Sequence, residues 1–114
     1  MRDRLTETDE QRLAAEIREW SESVPGSTRS AGVTERSRTK IAGAVRRITV
    51  RPVKGFEGLR ILLSDGTGEV SINFLGRRSI TGLTLGSRLV VEGMPRREGG
   101  LLKMVNPAFE FVQG

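Results

Sequence analysis

The sequence predicts a small all-β protein, a five-stranded barrel preceded by one helix. Three features carry that prediction. Between Lys40 and Val112 five short segments alternate apolar and polar residues, the period of half-buried strands. Turn-forming stretches separate them: Pro52 to Gly58, Ser64-Asp65-Gly66-Thr67-Gly68, Gly76 to Ser87 and Met94 to Gly100. Ahead of Lys40 the alternation is missing, and Leu13, Ile17, Trp20 and Val24 recur instead at spacings that share one helical stripe.

The helix is expected from Thr8, where Thr8 and Gln11 have capping-box spacing, to Pro25-Gly26, so that residues 1–24 form an N-terminal amphipathic element. Asp9 and Glu10 suit its positive end. The stripe is narrow, and an isolated helix of this length is marginal in water, so it is expected to dock. Two destinations fit: its own barrel, or a partner or second copy reached through Leu13, Ile17 and Trp20.

Residues 25–38 are rich in Ser, Thr, Gly and Arg, with Val33 the one sizeable apolar group, and read as a flexible linker that buries too little to order itself. Arg29, Arg36 and Arg38, with Lys40 where the first strand starts, give it the character of a loosely held phosphate-contacting arm.

Residues 39–114 form the barrel domain. In the first strand, Lys40 to Arg51, Ile41, Gly43 and Val45 alternate on one face while Ile48 and Val50 are out of phase by one, so a bulge is expected near Arg46-Arg47. The second strand turns Leu59, Ile61 and Leu63 inward and Arg60 and Leu62 outward. The third turns Val70, Ile72 and Phe74 inward. The long connection to the fourth strand, Leu89 to Gly93, has three glycines and too few helix formers for a helix; Ile80, Leu83 or Leu85 is expected to plug the barrel from it. Leu101 to Val112 is the fifth strand, interrupted at Asn106-Pro107.

The chain has 114 residues and neither cysteine nor histidine. Thiol nucleophiles, disulfides, thiolate zinc sites and imidazole bases are therefore excluded. The acids of the barrel are Glu57, Asp65, Glu69, Glu92, Glu98 and Glu110, and Asp65 before Gly66 reads as a turn former. No catalytic residue, metal site or cofactor is expected, and the protein reads as a non-enzyme. No run is apolar enough for a membrane span, and an acidic N-terminal segment replaces a signal sequence, so a cytoplasmic location is expected.

Charge is distributed unevenly. Residues 1–36 carry six arginines and eight acids, a net of −2, while residues 37–114 carry thirteen Lys/Arg and six acids, a net of +7. A barrel this basic favours nucleic acid or another anionic partner.

Five strands with the longest connection between the third and the fourth is the layout of the oligonucleotide/oligosaccharide-binding (OB) fold, a Greek-key barrel. The stretches Ile41-Ala42-Gly43-Ala44-Val45, Leu63-Ser64-Asp65-Gly66-Thr67-Gly68, Phe74-Leu75-Gly76-Arg77-Arg78, Leu85-Gly86-Ser87-Arg88-Leu89-Val90-Val91-Glu92-Gly93 and Met104-Val105-Asn106-Pro107 resemble small stand-alone OB-fold nucleic-acid-binding proteins of high-GC bacteria. More distantly, they are similar to the wedge domain of the branched-DNA helicase RecG. The resemblance covers residues 40–112 and not the helix, and its motifs are mostly structural, so it speaks to fold more than to function.

What it implies is a strand bound on the face of the second and third strands, between the loop after the first strand and the loop after the fourth. Arg51, Lys54 and Phe56 then occupy one rim, Arg96 and Arg97 the other; Arg46 and Arg47 lie near the bulge, and Arg60, Ser71 and Asn73 point outward from the floor. Arg77 and Arg78 fit contact and solvated loop equally. Arg88 and Lys103 read mainly as shields of edge strands.

Of the aromatics, Phe56 alone is expected to be exposed, Phe74, Phe109 and Phe111 belonging to core or edge. With so little base stacking, binding is expected to be electrostatic and weakly sequence-specific, log K falling by about 0.7 per phosphate neutralised.

The expected partner is single-stranded or branched DNA, in replication, recombination or repair. A protein-interaction or scaffold module is the alternative, its helix mediating self-association or docking and its barrel exposing Leu62, Leu75 and Val90. RNA binding differs from the first expectation only in ligand.

Overall fold

One stretch of chain, Leu101 to Val112, pairs with two opposite sides of the sheet and so curls it into a barrel-like form. A computed structural model describes residues 2–34, 36–52, 55 and 57–112, with residues 2–8 as backbone. The elements are helix α1 (Arg2–Ser23) and strands β1 (Thr39–Val50), β2 (Gly58–Ser64), β3 (Glu69–Leu75), β4 (Arg88–Gly93), β5 (Arg96–Glu98), β6 (Leu101–Val105) and β7 (Ala108–Val112). They form a single sheet in the order β5-β6-β3-β2-β1-β4-β7. The expected all-β class with an N-terminal helix holds; the expected count of five strands is corrected to seven among the described residues.

Both extra strands have local causes. Gly99 and Gly100, with φ of 57° and 83°, make a two-residue turn that pairs Glu98 with Leu101 and turns part of the expected basic loop into strand β5. The expected fifth strand is split at Asn106-Pro107: β6 pairs parallel with β3, and β7 pairs antiparallel with β4. Asn106, at φ 48°, donates its N–H to the Asn73 carbonyl at 2.8 Å and accepts the Leu75 N–H on Oδ1 at 2.9 Å. Its backbone and side chain thus satisfy the β3 edge where β6 departs.

β1 serves both halves of the sheet, pairing with β4 through Thr39 to Ala44 and with β2 through Ala44 to Val50. The register shifts between Val45 and Arg47, placing the bulge where the sequence phase breaks. At the bend between the two halves a Cβ on Gly43 would lie 2.7 Å from the Ser64 carbonyl oxygen, so glycine is required there by the approach of β2. The core consists of Ile41, Val45, Leu59, Ile61, Leu63, Val70, Ile72, Phe74, Leu89, Val91, Leu102 and Met104, with Ile80 and Leu83 of the long connection packed against it. Leu85, the third candidate plug, is exposed.

Helix α1 starts at Arg2, not at Thr8. Arg2 to Glu7 contain neither glycine nor proline, so nothing interrupts a helix there. The helix packs on β1, whose outward residues in this half, Ala42 and Ala44, are buried and small. Close approach also turns the helix from its expected orientation. Ile17 and Ser21 are buried, Trp20 and Val24 are half-buried, and Leu13 is 49% exposed. Val90, expected outward and exposed, is buried on the same outer side of the sheet, opposite Ala42.

Segment 25–38 buries more than its composition suggests. Ser30 opens a short 3₁₀ turn, Ser30–Gly32, and is buried; Val33 joins the core. Asp65 anchors the turn, accepting the Ser30 N–H on Oδ2 at 2.6 Å and the Ser30 hydroxyl on Oδ1 at 2.9 Å. Oδ1 also accepts from Thr67 N, Thr67 Oγ1 and Gly68 N. Burial by itself would raise the Asp65 carboxyl, but these hydrogen bonds outweigh it and hold the group below the usual aspartate range. Asp65 is therefore a turn former, as expected, and an anchor as well.

Candidate nucleic-acid interface

Strand pairing places residues of five strands in one row. Arg47 pairs with Leu62, Leu62 with Ser71, Ser71 with Lys103 and Lys103 with Arg96. Residues so paired share a sheet face, and the flanking positions Val45, Leu63, Val70 and Leu102 are core, so the row faces outward. A second outward row, Thr49, Arg60, Asn73 and Val105, lies beside it.

A hydrogen-bond network ties the floor together. Arg60 Nε donates to Asn73 Oδ1 at 3.2 Å, and Asn73 Nδ2 donates to Ser71 Oγ at 3.1 Å and to the Ser71 carbonyl at 3.3 Å. Ser71 is buried under this cover although it points outward. The Asn73 amide is thereby oriented, and Arg60 is tied to it through Nε. Arg51, whose N–H donates to the Gly58 carbonyl at 3.0 Å, lines one small depression with Arg60 and Asn73.

The cations here are largely uncompensated. Among the described residues the ion pairs use Arg12, Arg29, Arg38, Arg78 and Lys103. Arg46, Arg47, Arg51, Arg60, Arg96 and Arg97 meet no carboxylate within that set. Solvent-accessible ion pairs contribute only about 0–1 kcal/mol, so the Lys103 Nζ to Glu98 Oε2 contact, 3.2 Å, is easily broken.

The sequence-selected residues separate as follows. Arg47, Arg60, Asn73 and Arg96 share the two-row face, Arg51 stands at its β1–β2 end, and Arg46 is the exposed bulge residue beside it. Arg97 pairs with Leu102 and so points to the opposite side of β5 from Arg96. Arg77 lies over the rings of Phe74 and Phe109, 5.7 and 5.8 Å from their centroids, and covers one end of the core. Arg78 pairs with Glu57 at 3.6 Å. Neither belongs to the rows. Lys54 and Phe56 lie outside the described residues.

Two residues read as edge shields have other surroundings. Lys103 is on β6, between β3 and β5 and so inside the sheet, because the β5 hairpin moves the sheet edge outward. Arg88 lies with its guanidinium 5.0 Å from the Trp20 ring centroid and joins the helix to β4. The Gly99-Gly100 dipeptide is the signal that places Lys103 inside the sheet.

Among the described residues no helix is long and apolar enough to cross a membrane. No known protein-family model matches the chain, and no curated protein matches it significantly in sequence.

Proposed function

We propose that the protein is a nucleic-acid-binding module of OB type that holds single-stranded or branched DNA, with weak sequence specificity, on the outer face of β2, β3 and β6. The observation that carries it is the outward row Arg47, Leu62, Ser71, Lys103, Arg96, with cations at both ends of a mainly polar floor. Phosphates spaced along a strand find positive charge across this face, while Arg60 and Asn73 offer donors and acceptors to base edges. The OB assignment is supported by the pairing of β1 with both β2 and β4 and by the final stretch bridging β3 and β4. The proposal includes the resemblance to small bacterial OB proteins and to the RecG wedge, a cytoplasmic setting in replication, recombination or repair, and no catalytic step.

The test is a fluorescence-anisotropy titration of labelled single-stranded DNA, forked DNA and RNA of matched length at two salt concentrations, beside Arg47→Glu/Arg96→Glu. Salt-sensitive binding that the double variant loses supports the proposal, and the ligand ranking chooses between DNA and RNA. A folded protein that binds none of the three at low salt overturns it.

A second function, docking of a protein partner, is favoured by one observation. Leu13 and Leu85, 49% and 67% exposed, flank a cavity of about 380 Å³ between α1 and β1. Leu75 is exposed as that function requires and Leu62 is half-buried, but Val90 is buried.

A further inference from the structure

Beyond the outward row, the sheet opens into a second space. β6 leaves β3 at Asn106 and its continuation joins β4, while β5 pairs only with β6, so a cleft of about 410 Å³ forms between the end of β4, the β5–β6 hairpin and the start of β7. That volume lies within the range of small-ligand sites, roughly 300–1,000 Å³. Its charged and amide walls are Arg38, Glu92, Arg96, Glu98, Lys103 and Asn106. Its apolar lining includes Met94 and Val105, 54% and 50% exposed.

Arg96 and Lys103 belong to both places: they end the outward row and they line the cleft. A strand following the row therefore reaches the cleft past the positive charges of Lys103 and Arg96. Arg38, from the segment ahead of β1, stands on the cleft wall with Nε 2.9 Å from Glu92 Oε2, and both side chains are substantially exposed. Met94 and Val105 give an apolar surface for a flat ring, with the polarizable methionine sulfur suited to aromatic contact. Glu92 and Glu98 present acceptors of the kind that read base amino groups.

Resting on the interface proposed above, we infer that this cleft takes one unpaired nucleotide of the bound strand, its phosphate on Arg38 and Arg96 and its base against Met94 and Val105. A paired base does not expose its ring face, so occupancy of the cleft selects single-stranded over duplex nucleic acid. Glu92 then acts as a brake, because its carboxylate holds Arg38 and repels the incoming phosphate.

The test uses the full chain, a labelled fifteen-residue thymidine oligonucleotide and the matching duplex, with Arg38→Gln, Glu92→Gln and Met94→Asp as surface variants and circular dichroism to confirm folding. Arg38→Gln is expected to weaken single-strand binding and lower its salt slope by about 0.7, one phosphate contact. Glu92→Gln is expected to tighten binding, and Met94→Asp to reduce the preference for single strand over duplex. If the wild type binds and all three variants match it, the cleft assignment is overturned while the interface on β2, β3 and β6 stands. If the wild type does not bind at low salt, the interface fails and the cleft assignment with it.

Discussion

Asp65, in the turn between β2 and β3, accepts the backbone N–H of Ser30 at 2.6 Å across thirty-five residues of sequence. One carboxylate thereby closes a hairpin and fastens the segment that joins α1 to β1. With five donors converging on two oxygens, the charged form is strongly favoured.

Stability should follow the protonation of Asp65. The carboxyl is held below its unfolded value, near 3.9 as a rough reference, so its contribution is fully present above that pH and is lost as pH falls through the lower folded value. Asp65→Asn keeps one acceptor oxygen, which can serve the Thr67 and Gly68 donors or the Ser30 amide but not both, and is expected to cost about 1–3 kcal/mol at pH 7. Urea unfolding at neutral pH and at successive acid pH values checks this: the difference between wild type and variant should shrink on acidification.

Lys103 and Arg97 make a matched comparison for the interface. Lys103 sits in the outward row between Ser71 and Arg96, whereas Arg97 pairs with Leu102 on the other side of β5. Lys103→Gln is expected to weaken single-strand binding and to reduce the salt slope by about 0.7, while Arg97→Gln leaves both unchanged. Equal effects of the two substitutions in the same titration would show that only net charge matters and that the row has no directional role.

Much of this arrangement was legible in the chain because its signals are local. Ser64-Asp65-Gly66-Thr67-Gly68 marks the β2–β3 turn, the phase break after Val45 marks the bulge, and Pro25-Gly26 ends the helix. The position of Lys103 was not legible in the same way. Its neighbour Ser71 lies on a parallel strand reached through two intervening strands, and alternation along β6 says which face a residue takes but not which strand stands beside it. The interruption at Asn106-Pro107 was legible, but the change of partner strand across it was not, because the apolar alternation resumes after it. The Asp65 anchor escaped for a related reason, since its hydrogen bonds to Thr67 and Gly68 are those of any turn aspartate and only the distant Ser30 sets it apart.

Arg88 and Trp20 couple the helix to the sheet through a contact of 5.0 Å between guanidinium carbon and ring centroid. Arg88→Ala is expected to cost about 0.5–1 kcal/mol and to shift the emission of the single tryptophan, with no change in the core. Tryptophan fluorescence with thermal unfolding followed by circular dichroism measures both; an unaltered emission spectrum would place Trp20 away from Arg88 in solution.

Gly66 and Gly82 separate two costs that usually occur together. Both have φ of 85°, so alanine at either position incurs the left-handed backbone strain of about 1 kcal/mol. They differ in what surrounds them: a Cβ on Gly82 meets nothing within 4 Å, whereas one on Gly66 falls 2.5 Å from the Ala14 carbonyl oxygen and 2.9 Å from the Arg18 nitrogen. Those are backbone atoms of α1, which rotamer changes cannot move. Gly82→Ala is therefore expected to lose only the strain. Gly66→Ala should lose that and the seat of the helix on the β2–β3 turn, a total of roughly 2–4 kcal/mol for overpacking combined with strain. Because the clash pushes α1 off the sheet, Gly66→Ala alone should also redden Trp20 emission and speed proteolysis between α1 and β1. Equal urea midpoints for the two variants, with unchanged fluorescence in both, would show that α1 does not rest on this turn.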